Sequence, residues 1–195
     1  KQNTKKLRFA LLSAFFNFVK NSLDSDFQNP CDNPALRKLF RASKPIQIRI
    51  LEKDVVDEII FRTGNKRNRL ILELMARSGM RIGEVLKLTP MDVDERKIII
   101  RNPKSGKEAE VVFMPTKVAD RLKKYIRENE IEPESKIFPI KYAAARVVVI
   151  KAGEKIGVHL RPHDLRRHAA IYASRSGTPR IKSVKRCCCV ILTYQ

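Results

Sequence analysis

The chain of 195 residues carries 41 Lys and Arg against 21 Asp and Glu, a formal net charge of +20, and 43% of it is hydrophobic. That apolar share supplies a packed core and excludes a disordered basic tail. Apolar runs broken within a few residues exclude a membrane-spanning helix, and no charged-then-apolar leader opens the chain. A folded chain this basic needs a polyanionic partner, and nucleic acid is the usual one.

In chain order, the first expected element is a helix with one broad buried face. Leu7, Leu11, Ala14, Phe15, Phe18 and Val19 recur at helical spacing, with Phe9, Leu12 and Phe16 widening the stripe. A polar stretch from Asp24 to Pro34 leads to a short helix, Ala35 to Phe40. Residues 1–41 thus read as the end of a small helical domain whose beginning is missing, the alternative being helices that pack onto the following domain. Residues 42–51, with Pro45 blocking a helix, read as a linker. From residue 52 onward a second domain is expected.

That domain starts with helices over Glu52 to Arg62, Asn65 to Arg77 and Ile82 to Lys87, the second broken by Ser78-Gly79. Lys97 to Arg101 and Glu110 to Met114 are β-rich runs joined by a turn-rich connection, 102–108. They predict an antiparallel hairpin with Lys104 and Lys107 at its tip. Helices resume over Thr116 to Asn129, Ala143 to Ile156 and His163 to Ser176. The expected class is mainly α with a small antiparallel β-hairpin, α+β overall.

Cys187, Cys188 and Cys189 are consecutive and Cys31 stands alone, a pattern that is neither a zinc knuckle nor a spaced disulfide framework. The reading is free thiols, a reducing cytoplasmic compartment and no metal.

Three features stand out: Gly79-Met-Arg81-Ile-Gly-Glu84, the hairpin tip with Lys104, and His163-Asp-Leu-Arg166-Arg-His168. Each is ordinary alone. Arg81 with Glu84 three residues on makes a surface pair worth about 0–1 kcal/mol. Lys104 at a turn is by default a solvated charge, and His163 at a helix start is most often a capping imidazole.

Together they resemble the catalytic domain of the tyrosine recombinase family, the phage integrases and their Xer-like relatives. Ala76-Arg-Ser-Gly-Met-Arg-Ile-Gly-Glu-Val-Leu-Lys-Leu88 is similar to the family's first box, and Arg161-Pro-His-Asp-Leu-Arg-Arg-His-Ala-Ala170 to its second. The resemblance covers about residues 50–180 and makes residues 1–41 the end of the family's helical core-binding domain. It implies catalytic roles for Arg81, Lys104, His163 and Arg166. In this family a tyrosine oxygen attacks a DNA phosphodiester, giving a 3′-phosphotyrosine and a free 5′-hydroxyl. Two guanidinium forks suit the extra negative charge on a five-coordinate phosphorus, and they stay charged at any working pH. Lysine can protonate the leaving 5′-oxygen, and His163 can accept or share the tyrosine proton. No cofactor is implied. Glu84 and Asp164 are expected to hold an arginine fork from behind, and Lys107, Arg167 and His168 to touch the DNA backbone or pack locally.

After Pro179 the chain departs from the family pattern. Tyr194 is the candidate nucleophile, yet Lys185 stands nine residues before it, where the family has His or Trp. Three readings stay open: a tail altered so that no nucleophile remains, a run from which residues are absent, or Tyr194 presented by a divergent tail. The resemblance implies a cytoplasmic, nucleoid-associated site-specific recombinase for double-stranded DNA, acting as a tetramer on two duplexes. The competing reading is a relative that binds DNA without cutting it.

Overall fold

The computed structural model describes residues 2–40, 50–101 and 108–175. The chain divides into two compact units, residues 1–48 and 49–195.

In the first unit, helix α1 (Gln2–Ser22) is followed by a 3-10 turn at Pro30–Asp32 and helix α2 (Pro34–Leu39). Asparagines cap both short elements: the Asn29 side chain accepts from the Cys31 N–H and the Asn33 side chain from the Ala35 N–H. The expected buried face of α1 is absent, since no residue of α1 is buried. Leu7, Leu11, Phe15 and Phe18 are exposed. The packing runs along the neighbouring stripe, where Phe9 stacks on Phe40, Phe16 on Phe27, and Asn29 bonds the Ser13 carbonyl and the Asn17 amide. Cys31 is a free, buried thiol.

The second unit is built around α4 (Lys66–Arg77), which packs against α3 (Lys53–Phe61), α5 (Ile82–Val85), α6 (Thr116–Glu128), α7 (Tyr142–Glu154) and α8 (Pro162–Arg175). Seven consecutive residues of α4, Leu70 to Ala76, are buried. A helix walled in on nearly every side has to be apolar nearly all round, which accounts for the dense run Leu-Ile-Leu-Glu-Leu-Met-Ala. Its one acid there, Glu73, is 2% exposed and held by Arg121 of α6, at 2.8 and 3.0 Å, and by Arg69 at 3.3 Å. Burying a carboxylate in such a core requires this pairing. Each fully buried Leu, Ile or Met contributes about 1.5–3 kcal/mol.

The expected hairpin is β2 (Lys97–Arg101) against β3 (Ala109–Phe113), in antiparallel register from Lys97 with Phe113 to Arg101 with Ala109. Ile98, Ile100 and Val112 face the core while Ile99 and Val111 face outward. A two-residue strand unforeseen in the sequence, β1 (Val93–Asp94), pairs with β2 and makes a three-stranded sheet. Two residues are too few to show an alternation. Helix α5 stops at Val85, two residues before its expected end. The mainly helical class with a small antiparallel sheet is as expected. No helix among the described residues is long and apolar enough to cross a membrane.

Candidate functional site

The site begins where α4 ends. Ser78 closes the helix, and Gly79, at φ 66°, turns the chain through the left-handed region that glycine tolerates best. Met80 then plugs into the core, fully buried, so that Arg81 emerges at a fixed place as the residue capping α5. Glu84, in the first turn of α5, reaches back: its Oε2 accepts from the Arg81 backbone N–H at 2.7 Å. Its Oε1 meets the Arg81 guanidinium at 2.5 Å.

Helix α8 supplies the other half. Pro162 at its first position suits a helix start, and the Asp164 carboxylate accepts from the Arg161 N–H at 2.9 Å, closing the first turn. Arg166 extends back to the Gly79 turn, where its Nη1 donates to the Gly79 carbonyl at 2.6 Å and lies 3.7 Å from Glu84 Oε2. One carboxylate therefore touches two guanidinium groups that lie 85 residues apart in sequence (positions 81 and 166). The Arg166 side chain is 16% exposed and that of Glu84 11%, so both are largely shielded from water.

Arg81, Glu84, His163 and Arg166 line one cleft of about 810 Å³. His163 and Arg166, three residues apart on α8, share the face that looks into it. Asp92 adds a second acid, with Oδ2 accepting from the Thr89 N–H and hydroxyl and Oδ1 2.9 Å from Arg101 Nε.

The other expected site residues fall elsewhere. Asp164 holds neither Arg81 nor Arg166; its carboxylate caps α8 and lies 3.3 Å from Arg167, whose fork it orients on the exposed side of the helix. The reason is local, since the first turn of α8 claims the carboxylate. His168 takes the local-packing role of the two expected for it. It is 4% exposed, on the side of α8 turned to the core, and its Nδ1 lies 2.9 Å from the Leu51 carbonyl. A carbonyl only accepts, so Nδ1 carries the proton. Burial pushes the pKa of this imidazole below its usual value, more than the bond to Leu51 raises it. Lys104, Lys107 and Tyr194 lie outside the described residues. Among the described residues no three or more His, Cys, Asp or Glu gather as a metal site.

Lys87, Lys136 and Tyr142 also line the cleft, and sequence reasoning did not single them out. Lys87 belongs to the first box and could have been found there. Lys136 and Tyr142 lie in the loop before α7 and at its first residue, with no local pattern to mark them.

XerA, a tyrosine recombinase of Saccharolobus solfataricus, is 29% identical over 133 residues, 67% of this chain and 45% of that protein. The chain spans about half the length of the curated relatives it matches. The crystal structure of a XerA recombinase superposes with a TM-score of 0.59 at 22% identity, covering 89% of this chain and 63% of that one. A lambda integrase dimer bound to a COC′ core site superposes with a TM-score of 0.64 at 17% identity, covering 90% of this chain and 68% of that one. Residues 49–185 match the phage integrase family, and with that match over most of its length the chain belongs to this family of tyrosine recombinases.

Proposed function

We propose that this chain cuts and rejoins DNA at specific sites by transesterification through a 3′-phosphotyrosine intermediate. The observation that carries the reading is the Glu84 carboxylate holding Arg81 and Arg166 in one cleft beside His163. Two forks fixed from behind by one acid and a backbone carbonyl need little reorganisation when charge builds on a phosphoryl group. A phosphodiester seated there has its non-bridging oxygens bound by the two guanidinium groups. A tyrosine oxygen attacks phosphorus, the bond to the 5′-oxygen breaks, and the tyrosine proton passes to His163. Lys104 gives the departing 5′-oxygen its proton, and water at the active site then re-equilibrates both groups for the reverse reaction. Tyr194 is the nucleophile candidate. Double-stranded DNA as partner is supported by the +20 charge and by the lambda integrase bound to its core site. A tetramer on two duplexes, residues 1–41 as the core-binding part and a nucleoid-associated cytoplasmic protein complete the reading.

The second reading is a DNA-binding relative that has lost cleavage, favoured by Lys185 standing where the family pattern has His or Trp. A nicked suicide substrate separates the two. A covalent adduct on a denaturing gel, mapped by mass to a tyrosine, supports the recombinase. A shift on a native gel with no adduct supports the binding relative, and the absence of both contradicts each.

A further inference from the structure

The cleft holds more positive charge than the two arginines account for. Its lining includes five Lys and Arg (Arg81, Lys87, Arg101, Lys136, Arg166) against two acids. Both acids are committed, Glu84 to Arg81 and Arg166, Asp92 to Thr89 and Arg101. Lys87 and Lys136 are exposed and line a cleft that, among the described residues, offers them no further carboxylate.

Their placement is fixed by the fold. The Ile137 N–H donates to the Leu88 carbonyl at 2.9 Å, so each lysine sits one residue from a bond that fastens their two segments together. Leu88 is 3% exposed and Ile137 and Phe138 are fully buried, which anchors both segments in the core. Tyr142, at the first position of α7 and 55% exposed, brings a phenol hydroxyl to the same cleft.

We propose that Lys87, Lys136 and Tyr142 form a second phosphate seat, holding a DNA phosphate that flanks the one gripped by Arg81 and Arg166. The proposal rests on the cleft being a DNA site. Compact ammonium charges on flexible stems suit a phosphate whose position varies a little, whereas the fixed guanidinium forks suit the phosphate that reacts. A hydroxyl donating to a phosphate oxygen adds orientation without charge. Two seats fix a strand's direction across the cleft as well as its position, which one seat cannot do. Tyr142 here is a hydrogen-bond donor and forms no covalent bond.

The test is fluorescence anisotropy with a labelled DNA duplex between about 50 and 200 mM salt. The chains compared are the unaltered protein, Lys87→Ala with Lys136→Ala, Tyr142→Phe, and Lys117→Ala with Lys123→Ala. The last pair removes the same charge from α6 away from the cleft, and all these positions are exposed. The seat predicts that the cleft pair weakens binding roughly tenfold and flattens the salt slope by about one, since one phosphate contact is lost. The α6 pair should leave the slope nearly unchanged, and Tyr142→Phe should weaken binding severalfold at an unchanged slope. Equal effects of the two lysine pairs, or cleft variants that bind like the unaltered chain, would overturn the seat while leaving DNA binding intact. A covalent DNA adduct on Tyr142 would overturn it too, by making this residue the nucleophile. If the unaltered chain fails to bind any duplex, the DNA reading falls and the seat with it.

Discussion

Glu84 shows how much one side chain does in this cleft. Its two oxygens serve the Arg81 backbone, the Arg81 guanidinium and Arg166. Glu84→Gln keeps the shape and removes the charge that orients both forks. The expected outcome is a loss of roughly 10- to 100-fold in strand-cleavage rate, the usual range for a residue that positions a reactive group, with DNA affinity changed far less. Single-turnover cleavage beside a binding isotherm checks it, and an equal loss in both would mean that Glu84 acts on binding alone. His168 makes a prediction about stability. Burial disfavours its charged form most strongly, the Leu51 carbonyl opposes that, Arg77 and Arg175 add to it, and Glu52 works against it. With its folded pKa lowered, the unfolded chain binds the proton more readily below pH about 6.5. Stability from this group is therefore complete above that pH and is lost as the pH falls. Urea unfolding at pH 7.5 and at pH 5 should show a smaller loss for His168→Phe than for the unaltered chain. Equal losses would show that His168 contributes nothing to the acid sensitivity.

At the scale of elements, α1 offers a direct comparison between neighbours. Phe16 stacks on Phe27 and is half-buried, whereas Phe15 is 58% exposed. Phe16→Ala should cost the first unit more than Phe15→Ala, by about 1 kcal/mol or more, measured by chemical denaturation. A larger cost at Phe15 would place the packed face on the wrong side. In the second unit, a Cβ on Gly153 of α7 would stand 2.4 Å from the Val158 carbonyl oxygen and 2.5 Å from the Leu160 side chain. Gly153→Ala should therefore destabilise by about 1–3 kcal/mol, as overpacking does, while Gly64→Ala meets nothing within 4 Å and should be nearly neutral. The elements themselves were legible because α3, α4, α6 and α8 carry helical apolar spacing between clear stops. The hairpin was legible because β-rich runs flank a turn. What escaped was set by tertiary context. The side of α1 that packs depends on where Phe27 and Phe40 land, and β1 is too short to signal itself. In the site, Arg81, His163 and Arg166 stood out as motif residues. The capping task of Asp164 and the inward turn of His168 emerge only once α8 has a rotation about its axis.

Across the whole chain, the +20 charge makes salt the first variable to control. Affinity for DNA should fall steeply between about 50 and 200 mM salt, since each neutralised phosphate releases counterions. A flat response over that range would contradict phosphate contacts as the main source of affinity. The proposed function requires that Arg81 and Arg166, brought together by the Gly79 turn and Glu84, act on one phosphate. A double-mutant cycle on DNA affinity with Arg81→Ala, Arg166→Ala and the double variant tests it without needing a working nucleophile. A shared phosphate predicts a coupling energy of about 0.5–3 kcal/mol. Losses that simply add would mean that the two arginines serve separate contacts, and the single-phosphate reading of the cleft would be wrong.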